Sequence, residues 1–468
     1  MRKLAIFVSA LTFVVSLPAQ KAPLPKDLPP YGPETPLRAP DVKTAKLDNG
    51  LTVWLVSEPG FPKVALTLIV KGGDASDPAD KAGISDLLAR TVNQGTRTRN
   101  ARQIAQDIQA AGGDLSVNAG KDSIALSTSF LSSKAEKALA VFSDVAQNPS
   151  FPADEVSLAK RNEIQSLHQQ EANPSFLASR AMAKALYGDH PYHVITPTEA
   201  VVNAATPDDL RSLYTARFRP DQALVVAVGD FENDKMLAAI KSHFETWKPA
   251  AGAHAEAVPA VSSTPQHAIF IVPRPGSVQT TLNVGFFGPL RSDPDYEAVL
   301  VANAVYGGTF GSRLVTNIRE DKGYTYSPGA GYTTQSSAAT LVTRADVRNA
   351  VTGPTLNEII YELNRMVTTS PTKDELQQAE RFLVGIEAIR LQSRGAVAGE
   401  LANLWLKGLP PEEIGVYGRK VAAITADDVD AAARKYFPAA RTTIVAVGQE
   451  KVIRDALTPF GIPIQTAP

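Results

Sequence analysis

The chain has 468 residues, of which 44% are hydrophobic and 20% are charged, and its net charge is −1. This length allows two or more domains that each bury a normal core. The nearly neutral charge, without basic runs, gives no basis for binding nucleic acid. Because the sequence contains no cysteine, it excludes a disulfide scaffold, a thiolate nucleophile and a lipoprotein anchor.

The N-terminus has the layout of a secretory signal peptide over residues 1–19. A short positive region precedes an apolar run from Leu4 to Leu17, and we expect cleavage after Ala19. The run is shorter than the roughly 20 residues of a membrane span, so no stable span is expected after cleavage, with an uncleaved anchor as the alternative. Residues 20–43 are rich in proline and predict an extended leader. We therefore expect a bacterial periplasmic or secreted protein.

Strand and helix patterns then follow one another without regular alternation. Asn49-Gly50 lies between two strand-like pieces and indicates a hairpin. Further predicted strands cover 64–71, 115–119 and 123–129, and predicted helices cover 82–91, 101–111, 134–147 and 152–170. This mixture predicts an α+β fold with largely antiparallel sheets.

A repeat with an offset of 219 residues divides the chain into two halves. Thr206-x-x-Asp209 in the first half matches Thr425-x-x-Asp428 in the second, and each opens a helix with an N-capping pattern. An aromatic stop and an apolar strand closing on glycine follow at the same offset. We therefore predict two homologous domains, 44–249 and 267–460, joined by a linker of residues 250–266 that is rich in alanine, proline and serine.

The stretch 307–327 combines glycines, an amphipathic segment and alternating aromatics, which predicts loop, helix, turn and strand. It resembles the signature in the C-terminal half of the insulinase/pitrilysin-like (processing-peptidase-like) zinc metallopeptidases, in which an Arg and a Tyr lie seven residues apart. The matching residues here are Arg319 and Tyr326. The resemblance implies that this pair positions substrate and polarises the scissile carbonyl. Gly307, Gly308 and Gly311 are candidates for a mobile substrate-binding loop. Without the resemblance, Arg319 would be a surface residue and Tyr326 a core aromatic.

The zinc motif of that family is degenerate in this sequence. Active members carry His-x-x-Glu-His on a helix of the first half, where the histidines bind zinc and the glutamate activates a water. The matching positions here are Asp86, Ala89 and Arg90, and the third ligand falls on Ser166, with Glu163 one turn earlier. An arginine repels a dication and does not lose its proton. We therefore predict no metal site in this chain, and an Asp86–Arg90 ion pair in its place.

The six histidines offer no replacement site with ligand spacing. His190 and His193 form the one close pair, and they fall where the family has a His-Pro-Tyr loop without a metal role. A structural role in this loop is the stronger interpretation, since a metal site needs more ligands than this pair supplies.

The resemblance, which covers residues 44–457, implies that the two domains form half of a clamshell peptide chamber. The chain is then the non-catalytic, Arg/Tyr-supplying subunit of a heterodimeric zinc endopeptidase. The resemblance thus implies no cofactor in this chain, with zinc expected in a homologous partner subunit that carries the intact motif. The first alternative is a periplasmic peptide-binding or scaffold protein without a proteolytic role. The second is an independent peptidase with a displaced metal site.

Overall fold

The structure, a computed structural model, describes residues 39–249, 252, 255 and 257–467. The predicted signal peptide and most of the predicted leader lie outside these residues. The strands of the N-terminal half are β1 (Lys43–Lys46), β2 (Thr52–Ser57), β3 (Lys63–Lys71), β4 (Leu115–Ala119), β5 (Ser123–Leu131) and β6 (Ala223–Gly229). Its helices are α1 (Ile84–Thr91), α2 (Ala101–Ala110), α3 (Ala135–Gln147), α4 (Ala153–Glu171), α5 (Pro174–Tyr187), α6 (Glu199–Ala204), α7 (Pro207–Arg217) and α8 (Asn233–Phe244).

The C-terminal half repeats this plan with small changes at its edges. Its strands are β7 (Ile269–Pro273), β8 (Gln279–Gly288), β9 (Gly329–Thr334), β10 (Ala339–Arg348), β11 (Thr443–Gly448) and β12 (Ile464–Thr466). Its helices are α9 (Tyr296–Asn303), α10 (Arg313–Val315), α11 (Thr352–Thr368), α12 (Lys373–Arg390), α13 (Arg394–Leu406), α14 (Glu413–Ala422), α15 (Ala426–Tyr436) and α16 (Glu450–Leu457). The second sheet thus runs past the predicted domain end at residue 460.

Each half contains one six-stranded sheet, in the orders β1-β2-β6-β3-β5-β4 and β12-β7-β11-β8-β10-β9. Most neighbours are antiparallel, whereas β2 runs parallel to β6, and β7 runs parallel to both β11 and β12. The predicted α+β class with two homologous, largely antiparallel domains is confirmed. The edge strands β1 and β12 come from opposite ends of the described chain, so the repeat does not extend to this edge.

The central strands are apolar on both faces because helices cover both faces. On β2, Val53 and Leu55 face the core formed by helices of the N-terminal half, whereas Trp54 and Val56 face a second core. That second core is completed by Leu401 and its neighbours on α13, a helix from the other half of the sequence. Buried strands of this kind lose the polar alternation of a solvated sheet.

The reverse exchange covers the C-terminal sheet. Met182 and Leu186 of α5 pack against Val445 and Val447 of β11. A Cβ atom at Gly285 on β8 would lie 2.8 Å from the Met182 sulfur, so this strand needs a glycine for the helix to approach. Since α5 and α13 hold equivalent places in the repeat, with starts 220 and ends 219 residues apart, each half lends the equivalent helix to the other half.

Hairpin turns from the two sheets also meet at the junction of the halves. The Asp122 carboxylate accepts hydrogen bonds from the Tyr192 hydroxyl, at 2.6 Å, and from the Ser336 backbone N–H, at 2.8 Å. The Tyr192 hydroxyl in turn accepts from the Ser337 N–H at 3.2 Å. Val258 of the linker packs against the core that α5 completes. No helix in the described part of the chain is both long and apolar enough to cross a bilayer.

Candidate functional site

Helix α1 carries the positions predicted to correspond to the zinc motif, and contacts fix its start. Gly83 precedes the helix with a φ of 85°, and a Cβ there would lie 2.5 Å from the Pro197 nitrogen. The Asp77 carboxylate accepts from the Ser85 N–H at 3.1 Å and from its hydroxyl at 2.6 Å. Asp77 also pairs at 2.6 Å with Arg217 at the end of α7, and both side chains are fully buried. The motif positions therefore sit on a fixed helix.

Arg90 forms an ion pair with Glu163 of α4, rather than with Asp86 as predicted from the sequence. The Glu163 side chain is 2% exposed and that of Arg90 is 46% exposed. Ser166, the position reached by counting along the sequence, instead accepts a hydrogen bond from Gln170 of its own helix at 3.0 Å. Since residues three apart share a helical face, Glu163 takes the place opposite α1 that was assigned to Ser166.

A cavity of about 280 Å³ lies beside these residues. Ala89 and Arg90 of α1, Val117 of the edge strand β4, and Leu158 and Asn162 of α4 contribute to its walls. A guanidinium paired with Glu163 stands where a dication would need neutral or anionic donors, so this donor set does not fit zinc. No group of three or more His, Asp or Glu side chains among the described residues is arranged to hold a metal ion.

Asp86 lies in a partly buried, acidic environment on α1. Its pKa is raised to about 7, chiefly by burial and further by the Asp74 and Glu163 carboxylates, against the opposing effect of Lys121 and Arg90. Burial also raises the pKa of Asp74, although the Lys121 ammonium lies 3.2 Å from its carboxylate. The folded chain therefore holds a proton on Asp86 more tightly than the unfolded chain does.

This environment predicts a pH-dependent gain in stability for Asp86→Asn. Because the folded pKa is raised, stability is lost as the pH rises from about 4 towards 7, and the penalty is complete above the folded pKa. We expect the substitution to raise the free energy of unfolding by about 2 kcal/mol at pH 8, since partial exposure screens the effect, and by less at pH 5. Urea unfolding at both pH values measures this.

The exposed Asp80 in the preceding turn offers a matched control, because Asp80→Asn removes a carboxylate outside the buried cluster. Its stability change should be small at both pH values. Equal gains for Asp86→Asn at pH 5 and pH 8 would contradict the assignment of the titration to Asp86.

In the C-terminal half, the structure brings Arg319 and Tyr326 into direct contact. The Arg319 guanidinium carbon lies 4.3 Å from the centre of the Tyr326 ring, and its Nε lies 3.1 Å from Glu320. The Tyr326 ring is 77% exposed, so it is a surface residue and not a core aromatic. Strand β9 begins only at Gly329, which places Tyr326 in the turn before it.

Phe310 is a residue of this site that sequence reasoning missed. Its ring centre lies 4.1 Å from the Arg319 guanidinium carbon, and the ring is 66% exposed. The available signal in the sequence was a phenylalanine among the glycines of the signature stretch, where a loop was predicted.

The local backbone differs from the predicted loop and regular helix. Residues 304–308 and 316–321 are π-helical, with the single α-helical turn α10 after the first. A Cβ at Gly307 would lie 2.9 Å from that of Ala330, and one at Gly308 would lie 2.8 Å from the Asn303 side-chain nitrogen. These two glycines therefore allow close packing rather than forming an open loop. At Gly311 the nearest atom would be 3.5 Å away, on Gln378, so this position is open.

The histidine loop makes structural contacts. His190 Nδ1 accepts from the Tyr192 N–H at 3.2 Å, and His193 Nδ1 lies 2.9 Å from the His190 carbonyl oxygen. The Tyr192 ring is buried at the junction of the halves. These contacts fix the loop that supports Tyr192 and Asp122.

Comparison with known proteins agrees with this fold. The family described as "Insulinase (Peptidase family M16)" matches residues 52–196, and the one described as "Peptidase M16 inactive domain" matches residues 204–383. An "Uncharacterized zinc protease" of Rickettsia felis is 26% identical over 409 residues, covering 86% of this chain and 96% of that protein.

Solved structures give the same result. A peptidase M16 inactive domain from Pseudomonas fluorescens superposes with a TM-score of 0.82 and 28% identity, covering 87% of this chain and 98% of that one. A protease from Helicobacter pylori shares the fold with a TM-score of 0.80 at 18% identity, covering 88% of this chain and all of that one. The two α+β halves, and the two M16 family matches that cover much of them, define a peptidase-like protein of the M16 type. The chain belongs to the insulinase (M16) family.

Proposed function

We propose that this chain is the non-catalytic subunit of a heterodimeric zinc endopeptidase and that it supplies Arg319 and Tyr326 to a composite active site. The observation that carries the proposal is a contrast between the two halves. The position of the zinc helix holds an Arg90–Glu163 ion pair, whereas Arg319 remains in contact with the exposed Tyr326. Zinc chemistry is then assigned to a homologous partner that carries His-x-x-Glu-His.

The contribution of this chain is to bind and orient a peptide. The Arg319 guanidinium offers N–H donors and the Tyr326 hydroxyl offers another, and both groups can stabilise negative charge that develops on a carbonyl oxygen. Because the two side chains are in contact, their donors can act on neighbouring atoms of the same substrate. No proton-transfer or metal-dependent step is assigned to the residues of this chain.

Strand β4 supports the binding of an extended peptide. It is the last strand of its sheet and it borders the cavity beside Arg90, so its outer side has no strand partner within the sheet. Addition of a peptide to such an edge uses main-chain hydrogen bonds and tolerates many sequences. This arrangement agrees with a substrate class of extended peptides, within a chamber that the partner completes. We place the protein in the bacterial periplasm or outside the cell, on the basis of its signal-like N-terminus.

The test is reconstitution with a homologous chain that contains the intact zinc motif, followed by cleavage of a quenched fluorescent peptide. In the assembled pair we expect Arg319→Ala to lower kcat/KM by about 10²-fold, and Tyr326→Phe to lower it less, mainly through kcat. Arg348→Ala and Tyr361→Phe, at exposed positions on β10 and α11, are matched controls.

Three outcomes would contradict the proposal. Unchanged cleavage by both variants in an assembled pair would exclude a role in the composite site. Stoichiometric zinc bound to the isolated chain would contradict the assignment of the metal to a partner. Peptide binding without cleavage in every pairing would favour the peptide-binding or scaffold function.

A further inference from the structure

Phe310 lies at the tip of a tight turn that is fixed at both ends. The Ser312 N–H donates to the Thr309 carbonyl oxygen at 3.2 Å, and the Thr309 hydroxyl donates to the Ala304 carbonyl oxygen at 3.2 Å. The turn leads directly into α10, where Arg313 is buried and pairs with Glu375 at 2.7 Å. The exposed Phe310 ring is therefore carried by an anchored backbone and not by a free loop.

Arg319 contacts two aromatic rings. Its guanidinium carbon is 4.1 Å from the Phe310 ring centre and 4.3 Å from the Tyr326 ring centre. The guanidinium therefore packs closely against both rings. Each such contact at an exposed site contributes about 0.5–1 kcal/mol.

This arrangement limits how Arg319 can bind a ligand. Two aromatic rings pack on the guanidinium, and Nε already pairs with Glu320 at 3.1 Å. The Nη1 and Nη2 edge therefore carries the donors that remain for a ligand. Such an edge matches planar oxygen acceptors, which are the carboxylate and the peptide carbonyl.

We infer that Phe310 is a positioning residue that clamps Arg319 against Tyr326, so that the Nη edge of Arg319 faces a carbonyl or carboxylate oxygen of the peptide. The ligand assignment rests on the proposed function, whereas the clamp itself is a property of the isolated chain. Phe310 acts through Arg319. This role requires the face of an aromatic ring, and a side chain of the same volume without a ring does not supply it. A leucine of similar volume removes the cation–π contact, and a tyrosine retains it.

The first test measures the clamp without any partner. Phenylglyoxal modifies accessible arginines, and mass spectrometry of the isolated chain gives the rate at Arg319. We expect Phe310→Leu to raise this rate about 2- to 5-fold, the factor that corresponds to one lost cation–π contact, and Phe310→Tyr to restore most of the protection. Arg180, which is 47% exposed with the Phe176 ring centre 5.5 Å away, provides an internal control with an unchanged rate. An unchanged rate at Arg319 in Phe310→Leu would overturn the clamp.

The second test uses the reconstituted pair and separates failure of the clamp from failure of the proposed function. We expect Phe310→Leu to lower kcat/KM about 5-fold and Phe310→Tyr to recover it. If Arg319→Ala lowers cleavage but Phe310→Leu does not, the positioning role is wrong and the composite site stands. If Phe310→Leu speeds modification of Arg319 but Arg319→Ala leaves cleavage unchanged, the clamp stands and the composite site is wrong.

The two possible acceptors are separated by matched peptides with a free or an amidated C-terminus. A loss in Phe310→Leu that is confined to the free-acid peptide assigns the Nη edge to a terminal carboxylate. An equal loss with both peptides assigns it to a backbone carbonyl. Equal kcat/KM of Phe310→Leu and the unmodified chain for both peptides would overturn the inference.

Discussion

Replacing Asp77 with alanine is expected to lower the free energy of unfolding by about 3–5 kcal/mol. Asp77 is the partner of Arg217, whose side chain is only 1% exposed, and the two lie 2.6 Å apart. Removal of the carboxylate leaves a guanidinium in the interior without its counter-charge. It also removes the acceptor for the Ser85 N–H at the start of α1. Urea unfolding followed by circular dichroism measures the loss.

Two comparisons test whether burial of the charge is the cause. Asp455→Ala breaks an ion pair at the surface, in which the Asp455 side chain is 66% exposed and that of Lys451 is 83% exposed. It should lower the free energy of unfolding by less than about 1 kcal/mol. The double replacement Asp77→Leu with Arg217→Met removes both charges and should recover much of the loss of Asp77→Ala. If the double replacement is as unstable as Asp77→Ala alone, the lost contacts at Ser85 are the cause.

Leu401→Ala on α13 is expected to cost about 2–5 kcal/mol, because a fully buried leucine is replaced and a cavity remains. Its position in the fold gives a second expectation. Leu401 belongs to the C-terminal half of the sequence, yet it packs on the N-terminal sheet with Trp54 and Leu224. Hydrogen exchange should therefore accelerate on β2 and β6 more than on the strands of the C-terminal sheet.

Met182→Ala on α5 is the mirror experiment. Met182 is 3% exposed and packs on the C-terminal sheet, although it belongs to the N-terminal half of the sequence. We expect a cost of about 2–5 kcal/mol, with faster exchange on β8 and β11. If either variant accelerated hydrogen exchange mainly in the half of the sequence that contains the substitution, the packing of α5 and α13 on the opposite sheets would be contradicted.

The sequence was sufficient for the class of fold and for the duplication. The N-capping threonines Thr206 and Thr425 predicted helix starts that the structure has, each with a capping box. The helix exchange was not predictable, because the apolar faces of α5 and α13 show that these helices are buried but not which sheet covers them. Hydrophobic periodicity shows which face of a helix is buried, but it does not show which element of the fold covers that face.

The candidate site was predictable in part. The seven-residue spacing identified Arg319 and Tyr326, which the structure places in contact. Counting a fixed distance reached Ser166, whereas the residue that faces α1 is the buried Glu163 one turn earlier, since a change of one helical turn along α4 keeps the same face. Phe310 was missed because a π-helical segment and a tight turn bring it beside Arg319, and residue spacing on an α-helix does not anticipate such geometry.

The exchange of α5 and α13 also has a consequence for ancestry. A single repeat unit could cover only one face of its sheet with its own helices, because the equivalent of α5 lies on a neighbouring sheet. Before duplication, such a unit would have had both faces of its sheet covered only in a symmetric dimer, in which each copy packed one helix on the sheet of the other. Fusion of the two copies placed that pair in one polypeptide. The residues around Arg90 in the first copy and around Arg319 in the second could then change independently, without loss of the mutual cover that both sheets need.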